Sequence, residues 1–253
     1  MIDLIIGLHS VYHACLNAER SEKMLLATAQ SLSELESRYQ INAKKLKQLQ
    51  VQLKLVKNND FQSSAQKIFQ DHGQHYRRLP TQLLLQASAK SIQGPDELFH
   101  HCQDQTQFRL LALDRLTDIQ NAASLARTAA FFKVDGLLIP SKNSFQLNSG
   151  FYRIASGGVE YLQLYQTPHL SRTLSQLAKR DFAVIGLSEE AQEISDQQKF
   201  NNGICLVLGA EDTGLSHSVE RVLTHHFRLQ SQGPIQSLNV SAAGVLAMQL
   251  FFA

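Results

Sequence analysis

The chain has 253 residues, of which 43% are hydrophobic and 18% charged, with a formal net charge of +2. That length holds two modest domains or one large one, and that apolar content buries a sizeable core and excludes a disordered chain. No apolar run approaches the roughly 18 residues a membrane span needs, and Met1-Ile2-Asp3-Leu4 lacks a basic stretch followed by an apolar one, so a soluble, cytoplasmic protein without membrane contact is expected.

Residues 1–28 read as a helix from His9 to Leu16 and a strand around Met24 to Thr28. A helical pattern opens at Ser31-Leu32-Ser33-Glu34 and runs, with a break near Asn42, to about Gln50. Leu53 to Lys57 alternates like a strand, Asn58-Asn59-Asp60 reads as a turn, 61–71 as a helix and Leu83 to Ala87 as a further strand. Strands and helices in alternation define a small α/β domain over residues 1–90. Ala87 to Pro95, with Ser, Gln and a Gly-Pro pair, has the composition of a linker, and a short helix from Asp96 to Gln103 follows it, so that 91–105 joins the first domain to a second at 106–253.

The first hundred residues hold 12 Lys or Arg against 9 Asp or Glu, the remainder 12 against 13. Lys44-Lys45-Leu46-Lys47 and Tyr76-Arg77-Arg78 are the densest basic points, suited either to phosphate or simply to solvation. Cys15, Cys102 and Cys205 are far apart and show no C-x-x-C spacing, which argues against a disulfide framework or a zinc site. His100-His101-Cys102 is the one cluster of ligand-type residues, but sequence neighbours point apart on a helix. A solvated helix end is the simpler reading, and no metal is expected.

In the second domain Phe108 to Leu113 is a strand with little polar alternation, as in a sheet buried on both faces. A helix from Asn121 to Phe132, a strand from Gly136 to Ile139, a helix from His169 to Arg180, and strands Phe182 to Leu187 and Ile204 to Leu208 follow. Strands separated by helices imply right-handed crossovers and a parallel sheet, whose ligands bind beyond the carboxyl ends of the strands. Asp114, Gly186 and Gly209 stand at such ends. Neither G-x-G-x-x-G, a P-loop nor a Gly-x-Ser-x-Gly elbow is present, so the sheet binds its ligand by another loop design.

Asn121 and Arg127 lie six residues apart on a helix otherwise rich in Ala, Leu and Phe, a rise of about 9 Å. An Arg there needs a carboxylate such as Asp118, a phosphate, or water. Glu211 follows Gly209-Ala210 directly after an apolar strand, with Gly214 beyond it, an arrangement that lets backbone approach a ligand while the acid orients it. Near the C-terminus, Gly233-Pro234 interrupts regular structure before Ser237-Leu238-Asn239, and the apolar run from Val240 to Ala253 reads as a buried helix beginning at about Ser237. Capping explains one of those two polar side chains and leaves the other for a second role.

Asp114 to Arg127, Leu208-Gly209-Ala210-Glu211 with Gly214-Leu215, and Ser237-Leu238-Asn239-Val240-Ser241 together resemble the three ordered motifs of the SpoU (TrmH-like) class of SPOUT methyltransferases. The resemblance covers about residues 108–253. Gly7-Leu8-His9-Ser10-Val11 extends it to the ribosomal-protein-like substrate domain of the rRNA members, and Gln146-Leu147-Asn148 and Ala155-Ser156-Gly157-Gly158 resemble the 23S rRNA guanosine ribose methyltransferases. It implies an α/β fold with a deep trefoil knot in the C-terminal domain, homodimerisation through that domain, and S-adenosylmethionine bound by the knotted loops. By position, Asn121, Arg127, Glu211, Ser237 and Asn239 would form the catalytic set, and Gly209, Ala210, Leu229, Ser231 and Leu238 would hold the cofactor. The implied reaction is methyl transfer to a ribose 2′-hydroxyl of RNA, a guanosine of 23S rRNA foremost. A tRNA ribose methyltransferase and a catalytically inactive RNA-binding paralogue are the alternatives.

Some positions depart from the family pattern. Ile119 stands where Pro is usual, Ala123 where Gly is usual, Leu229-Gln230-Ser231-Gln232 in place of an Ile-Pro-Met loop, and Thr81-Gln82-Leu83 in place of His-Gln-Gly. Loss of the proline's fixed φ loosens a loop expected to hold the adenosine.

Overall fold

A computed structural model describes residues 1–103, 107–187, 200, 203–235 and 237–253. The chain divides into two compact units, one formed by Met1–Lys90 with Leu147–Glu160 and the other by Ser91–Gln146 with Tyr161–Ala253.

The first unit contains β1 (Ile2–Ile6), α1 (Leu8–Leu16), β2 (Met24–Ala27), α2 (Ala29–Tyr39), α3 (Ala43–Gln48), β3 (Gln52–Leu55), α4 (Asn58–Asp71) and β4 (Leu83–Ser88). Its sheet has the order β1-β4-β2-β3, with β4 antiparallel to both neighbours and β2 parallel to β3. Residues 2–6, for which no element was expected, form β1. Its short run, buried at Leu4, Ile5 and Ile6, shows no alternation to announce a strand. Asn58-Asn59-Asp60 is the first turn of α4 rather than a separate turn, and places the Asp60 carboxylate where the helix dipole favours it. α2 opens on a capping box in which Thr28 and Ser31 satisfy each other's backbone N–H groups.

Residues 147–160 complete this unit through a buried ionic cluster. The Arg20 guanidinium, 2% exposed, donates through Nε and Nη2 to Glu160 at 3.0 and 2.8 Å, and through Nη1 to Asp3 at 2.5 Å. Asp3 Oδ2 also accepts from the Tyr152 hydroxyl at 2.5 Å and from the Lys90 backbone at 2.9 Å. Burial opposes the charge on Arg20, yet the hydrogen bond and field of Glu160 hold its pKa above the ordinary value. Burial, reinforced by Asp3, keeps Tyr152 protonated. Every member is paired, as buried charge requires.

The second unit runs through β5 (Ile92–Gln93), α5 (Pro95–Gln103), β6 (Arg109–Leu113), α6 (Ile119–Phe131) and β7 (Gly136–Pro140). After α7 (Ser149–Ala155) in the first unit it resumes with β8 (Gln163–Thr167), α8 (Leu170–Ala178), β9 (Ala183–Leu187), β10 (Ile204–Leu208), α9 (His217–Glu220), β11 (His225–Phe227) and α10 (Val240–Phe252). The strands form a sheet of order β11-β9-β10-β6-β7-β8-β5, parallel at every pairing. Leu110 to Leu113 are fully buried, as the unbroken apolar run of β6 anticipates. Residues 87–95, expected to be a linker, carry the end of β4 and all of β5, which pairs with β8.

Two further expectations are corrected. The end of α5 is not a solvated tip: Cys102 enters the core, where burial pushes its thiol up to about 12, and His101 Nδ1 shares a 2.7 Å hydrogen bond with Tyr165. α10 is only half-buried. Gly244, Ala247, Met248 and Phe252 face inward, whereas Val245, Leu246 and Leu250 are 41%, 45% and 53% exposed. Among the described residues no helix is long and apolar enough to cross a membrane, and no three His, Cys, Asp or Glu side chains gather as for a metal.

Candidate active site

The carboxyl ends of β9, β10 and β11 open into a cavity of about 1240 Å³. Three loops wall it: Gly209 to Leu215 after β10, Arg228 to Ile235 after β11, and Ser237 to Asn239 leading into α10. Gly209, Ala210, Glu211, Leu229, Ser231, Ser237, Leu238 and Asn239 all line it, so that segments distant in sequence share one space. Asn121 and Arg127 are not among the lining residues.

Asn121 nevertheless joins the cluster. Asp118 caps α6 by accepting the Asn121 backbone N–H at 2.8 Å, and the Asn121 amide donates to Glu211 Oε1. Asn239 Nδ2 reaches the same carboxylate oxygen at 3.5 Å. One carboxylate therefore ties together the start of α6, the loop after β10 and the start of α10. Asn239, rather than Ser237, is the N-cap of α10: its Oδ1 accepts from the Ser241 N–H at 2.9 Å and the Ser241 hydroxyl at 2.6 Å. Its side chain is thus fixed in rotamer while its amide faces Glu211. Ser237 lies two residues upstream, exposed on the cavity wall. Arg127 is exposed farther along α6.

The loop from Gly209 to Gly214 closes on itself. Ala210 N donates to Gly214 O at 3.1 Å, and Gly214 N to Ala210 O at 2.9 Å. An added Cβ at Gly209 would stand 2.3 Å from the Gly214 carbonyl carbon, so the glycine serves the loop's own closure as well as any approach to a ligand. Gly214 turns the loop with φ of +61°. Asp114, 4% exposed, accepts the Ser216 N–H at 2.6 Å, and Arg115 Nη2 reaches Thr213 Oγ1 at 3.4 Å and Gly214 O at 3.5 Å. The end of β6 thereby holds the loop after β10. Arg115 has a left-handed φ of 58°, a conformation the sequence gives no sign of. Ser231 Oγ donates to the Ile235 carbonyl at 2.5 Å, so this side chain shapes its own loop.

Phe227 and Arg228 also line the cavity, and were not foreseen. The signal was available but short: His225–Phe227 is a three-residue strand whose end leads directly into Leu229.

Such a site, between loops at the carboxyl ends of parallel strands, defines an α/β ligand-binding domain of the SpoU methyltransferase fold. Two solved structures share it: the SpoU methyltransferase AviRb of Streptomyces viridochromogenes in complex with AdoMet and the AdoMet-bound rRNA methyltransferase of Sinorhizobium meliloti. The first has a TM-score of 0.70 and 15% identity, covering 98% of this chain and 88% of that one. The second has a TM-score of 0.69 and 17% identity, covering 99% and 86%. The chain belongs to the SpoU rRNA Methylase family, whose model matches residues 109–249. It is 34% identical over 149 residues to the 23S rRNA (guanosine-2′-O-)-methyltransferase RlmB of Acinetobacter baylyi, covering 58% of this chain and 60% of that protein. To the protein of the same name from Pseudomonas aeruginosa it is 34% identical over 134 residues, covering 53% and 54%. The match thus spans little more than half the length of these relatives.

Proposed function

We propose that the protein transfers a methyl group from S-adenosylmethionine to a ribose 2′-hydroxyl of RNA, a guanosine of 23S rRNA being the target its relatives' names favour. The observation that carries this reading is the convergence of Asn121, from the first of the family's motifs, and Asn239 on Glu211 at the rim of a cavity lined by the second and third. The residues present fit the methyl donor. Leu208, Phe227, Leu238 and Leu246 supply apolar wall for a base, the Glu211 carboxylate complements a cation, and the volume exceeds the roughly 300–1,000 Å³ of ordinary ligand sites. Backbone groups at Gly209, Leu229 and Leu238, with Ala210 and Ser231 shaping the loops, would hold it.

When bound, S-adenosylmethionine supplies an electrophilic methyl on a sulfonium that is a good leaving group. The chain's own task is to bring a ribose oxygen into line and to favour its deprotonation. A guanidinium with pKa above about 12 is a poor base. Arg127 is assigned to lowering the energy of the developing alkoxide and holding an adjacent RNA phosphate. Glu211 orients the Asn121 and Asn239 amides, and Ser237 offers a hydroxyl to the bound molecules. No step requires a metal. Knotting of the second unit, homodimerisation through it, an RNA-binding role for residues 1–90 and a cytoplasmic location belong to the same reading. The exposed apolar face of α10 supports the dimer.

The test is transfer of labelled methyl from S-adenosylmethionine to RNA of a modification-deficient strain, with Arg127→Ala in parallel. Alkali-resistant, ribose-methylated dinucleotides, lost in the variant, are expected. Donor binding without transfer to any ribosomal or transfer RNA would refute the catalytic assignment.

A further inference from the structure

Two unfavourable features meet at one residue just beyond the carboxyl end of β6. Arg115 has a φ of 58°, a conformation in which the Cβ of an L-residue crowds its own backbone. Gln40, Gln50, Lys133 and Ser156 share it, but each lies at the end of a helix, where a left-handed residue closes off the hydrogen-bonded ladder. Arg115 follows a strand instead. Its Nε is also buried without a hydrogen-bond partner among the described residues, with Asp114 Oδ1 3.8 Å away. A buried donor left unpaired lowers stability. Glycine would adopt the same φ without crowding and would bury no such donor. The fold of β6 therefore gives no reason for an arginine here.

What the arginine supplies is reach. From its place after β6 its Nη2 extends to the loop after β10, 3.4 Å from Thr213 Oγ1 and 3.5 Å from Gly214 O, and both of those residues line the large cavity. The segment from Gly209 to Leu215 has two acids, Glu211 and Asp212, and no basic residue of its own, so a guanidinium at its base complements its charge. Contacts of this length are at the outer limit for an N–H donor, and a shift of the loop by about 0.5 Å toward β6 would bring them to the usual range. The loop is pinned at both ends, by β10 on one side and by the 2.6 Å bond from Ser216 N to Asp114 on the other. The part left to shift is the part that carries Glu211.

We propose that Arg115 is a positioning residue for the methyl donor: its guanidinium is the strut onto which Thr213 and Gly214 close when S-adenosylmethionine is bound, and it thereby sets the stance of Glu211. An interaction that strengthens in the bound state contributes to affinity and not to the stability of the free protein. That accounts for a residue whose backbone and buried Nε are both unfavourable to the fold. The role rests on the methyltransferase reading and adds to it a residue outside the catalytic and cofactor-binding sets named above.

The test compares the full chain with Arg115→Gly, Arg115→Lys, Thr213→Val and the double variant Arg115→Gly/Thr213→Val, by thermal melting, calorimetric titration with S-adenosylmethionine, and methyl-transfer kinetics. Arg115→Gly is expected to melt no lower than the wild type, since glycine takes the positive φ freely, and to bind the donor about tenfold more weakly. Arg115→Lys, which keeps the charge and loses the planar fork, should weaken it about threefold. Thr213→Val should cost about threefold alone and nothing further beside Arg115→Gly, because the two act through one contact. The KM for the donor should rise and that for RNA stay level. Effects that multiply in the double variant, or a raised KM for RNA with donor affinity intact, would overturn the role, as would a melting temperature that falls together with affinity. An Arg115→Gly protein that binds the donor as the wild type does overturns it too and leaves the methyltransferase reading standing. A wild-type chain that binds no S-adenosylmethionine overturns both.

Discussion

Replacing Gly209 by Ala tests whether loop closure, rather than ligand approach alone, demands a glycine there. The added Cβ would meet only backbone: the Gly214 carbonyl carbon at 2.3 Å, its oxygen at 2.4 Å and the Leu215 nitrogen at 2.5 Å. Carbon atoms rest at about 3.5 Å or more, so the loop must move by about 1 Å, with no side chain able to rotate away. Overpacking of this kind costs about 1–3 kcal/mol, and straining the paired Ala210–Gly214 bonds adds about 0.5–1.5 kcal/mol each where they break. A loss of about 2–4 kcal/mol in urea denaturation is expected. Because Glu211 rides on this loop, affinity for S-adenosylmethionine should fall by at least about tenfold, equivalent to about 1.4 kcal/mol. Gly214→Ala is the control: its Cβ would meet nothing within 4 Å, and only the positive φ of +61° resists it, at about 1–2 kcal/mol. Its effect on donor binding should be smaller. A Gly209→Ala protein with stability within about 0.5 kcal/mol of wild type and unchanged donor affinity would refute the reasoning.

Arg20→Ala is expected to destabilise the protein by about 3–5 kcal/mol in chemical denaturation, because it strands the Asp3 and Glu160 carboxylates in the interior; a change below about 1 kcal/mol would show that water replaces the guanidinium freely. Alkali should unfold the chain early. Burial pushes the Cys15 and Cys102 thiols from 9.0 up to about 12 and raises Cys205 as well, so the folded state keeps protons that the unfolded chain releases. Their contribution is complete below pH 9 and declines as pH rises toward 12, by up to about 1.4 kcal/mol per pH unit for each thiol. Melting temperatures that stay level through that range would contradict it.

The parallel sheet was legible because buried strands announce themselves locally: Leu110 to Leu113 and Cys205 to Leu208 are unbroken apolar runs. Much of the lining of the cavity was legible through the second and third motifs. The geometry inside it was not. That Glu211 receives amides from both Asn121 and Asn239 depends on β10 lying beside β6 and on α10 packing against α6, where Gly244 comes so close that an added Cβ would stand 2.3 Å from Leu125. No local periodicity encodes such pairings. The choice of Asn239 over Ser237 as cap turned on a two-residue difference in where α10 begins, beneath the resolution of hydrophobic patterning. Residues 147–160 were also illegible, since membership in the first unit rests on Arg20, 140 positions away from Glu160.

That last feature changes how the chain can be divided. Because the first unit takes in Leu147–Glu160, the polypeptide passes between its two units three times, and no single cut separates them. A fragment ending at Lys90 would lack Glu160 and Tyr152 and keep their partners, Arg20 and Asp3, as an incomplete charge cluster. Conversely, a fragment beginning at Ser91 would carry α7 with its buried Phe151 and Tyr152 and nothing to receive them. Modular exchange of the amino-terminal unit between related proteins therefore requires two segments to be transplanted together. Expression of either unit alone calls for excising or grafting the 147–160 segment rather than truncating at a linker.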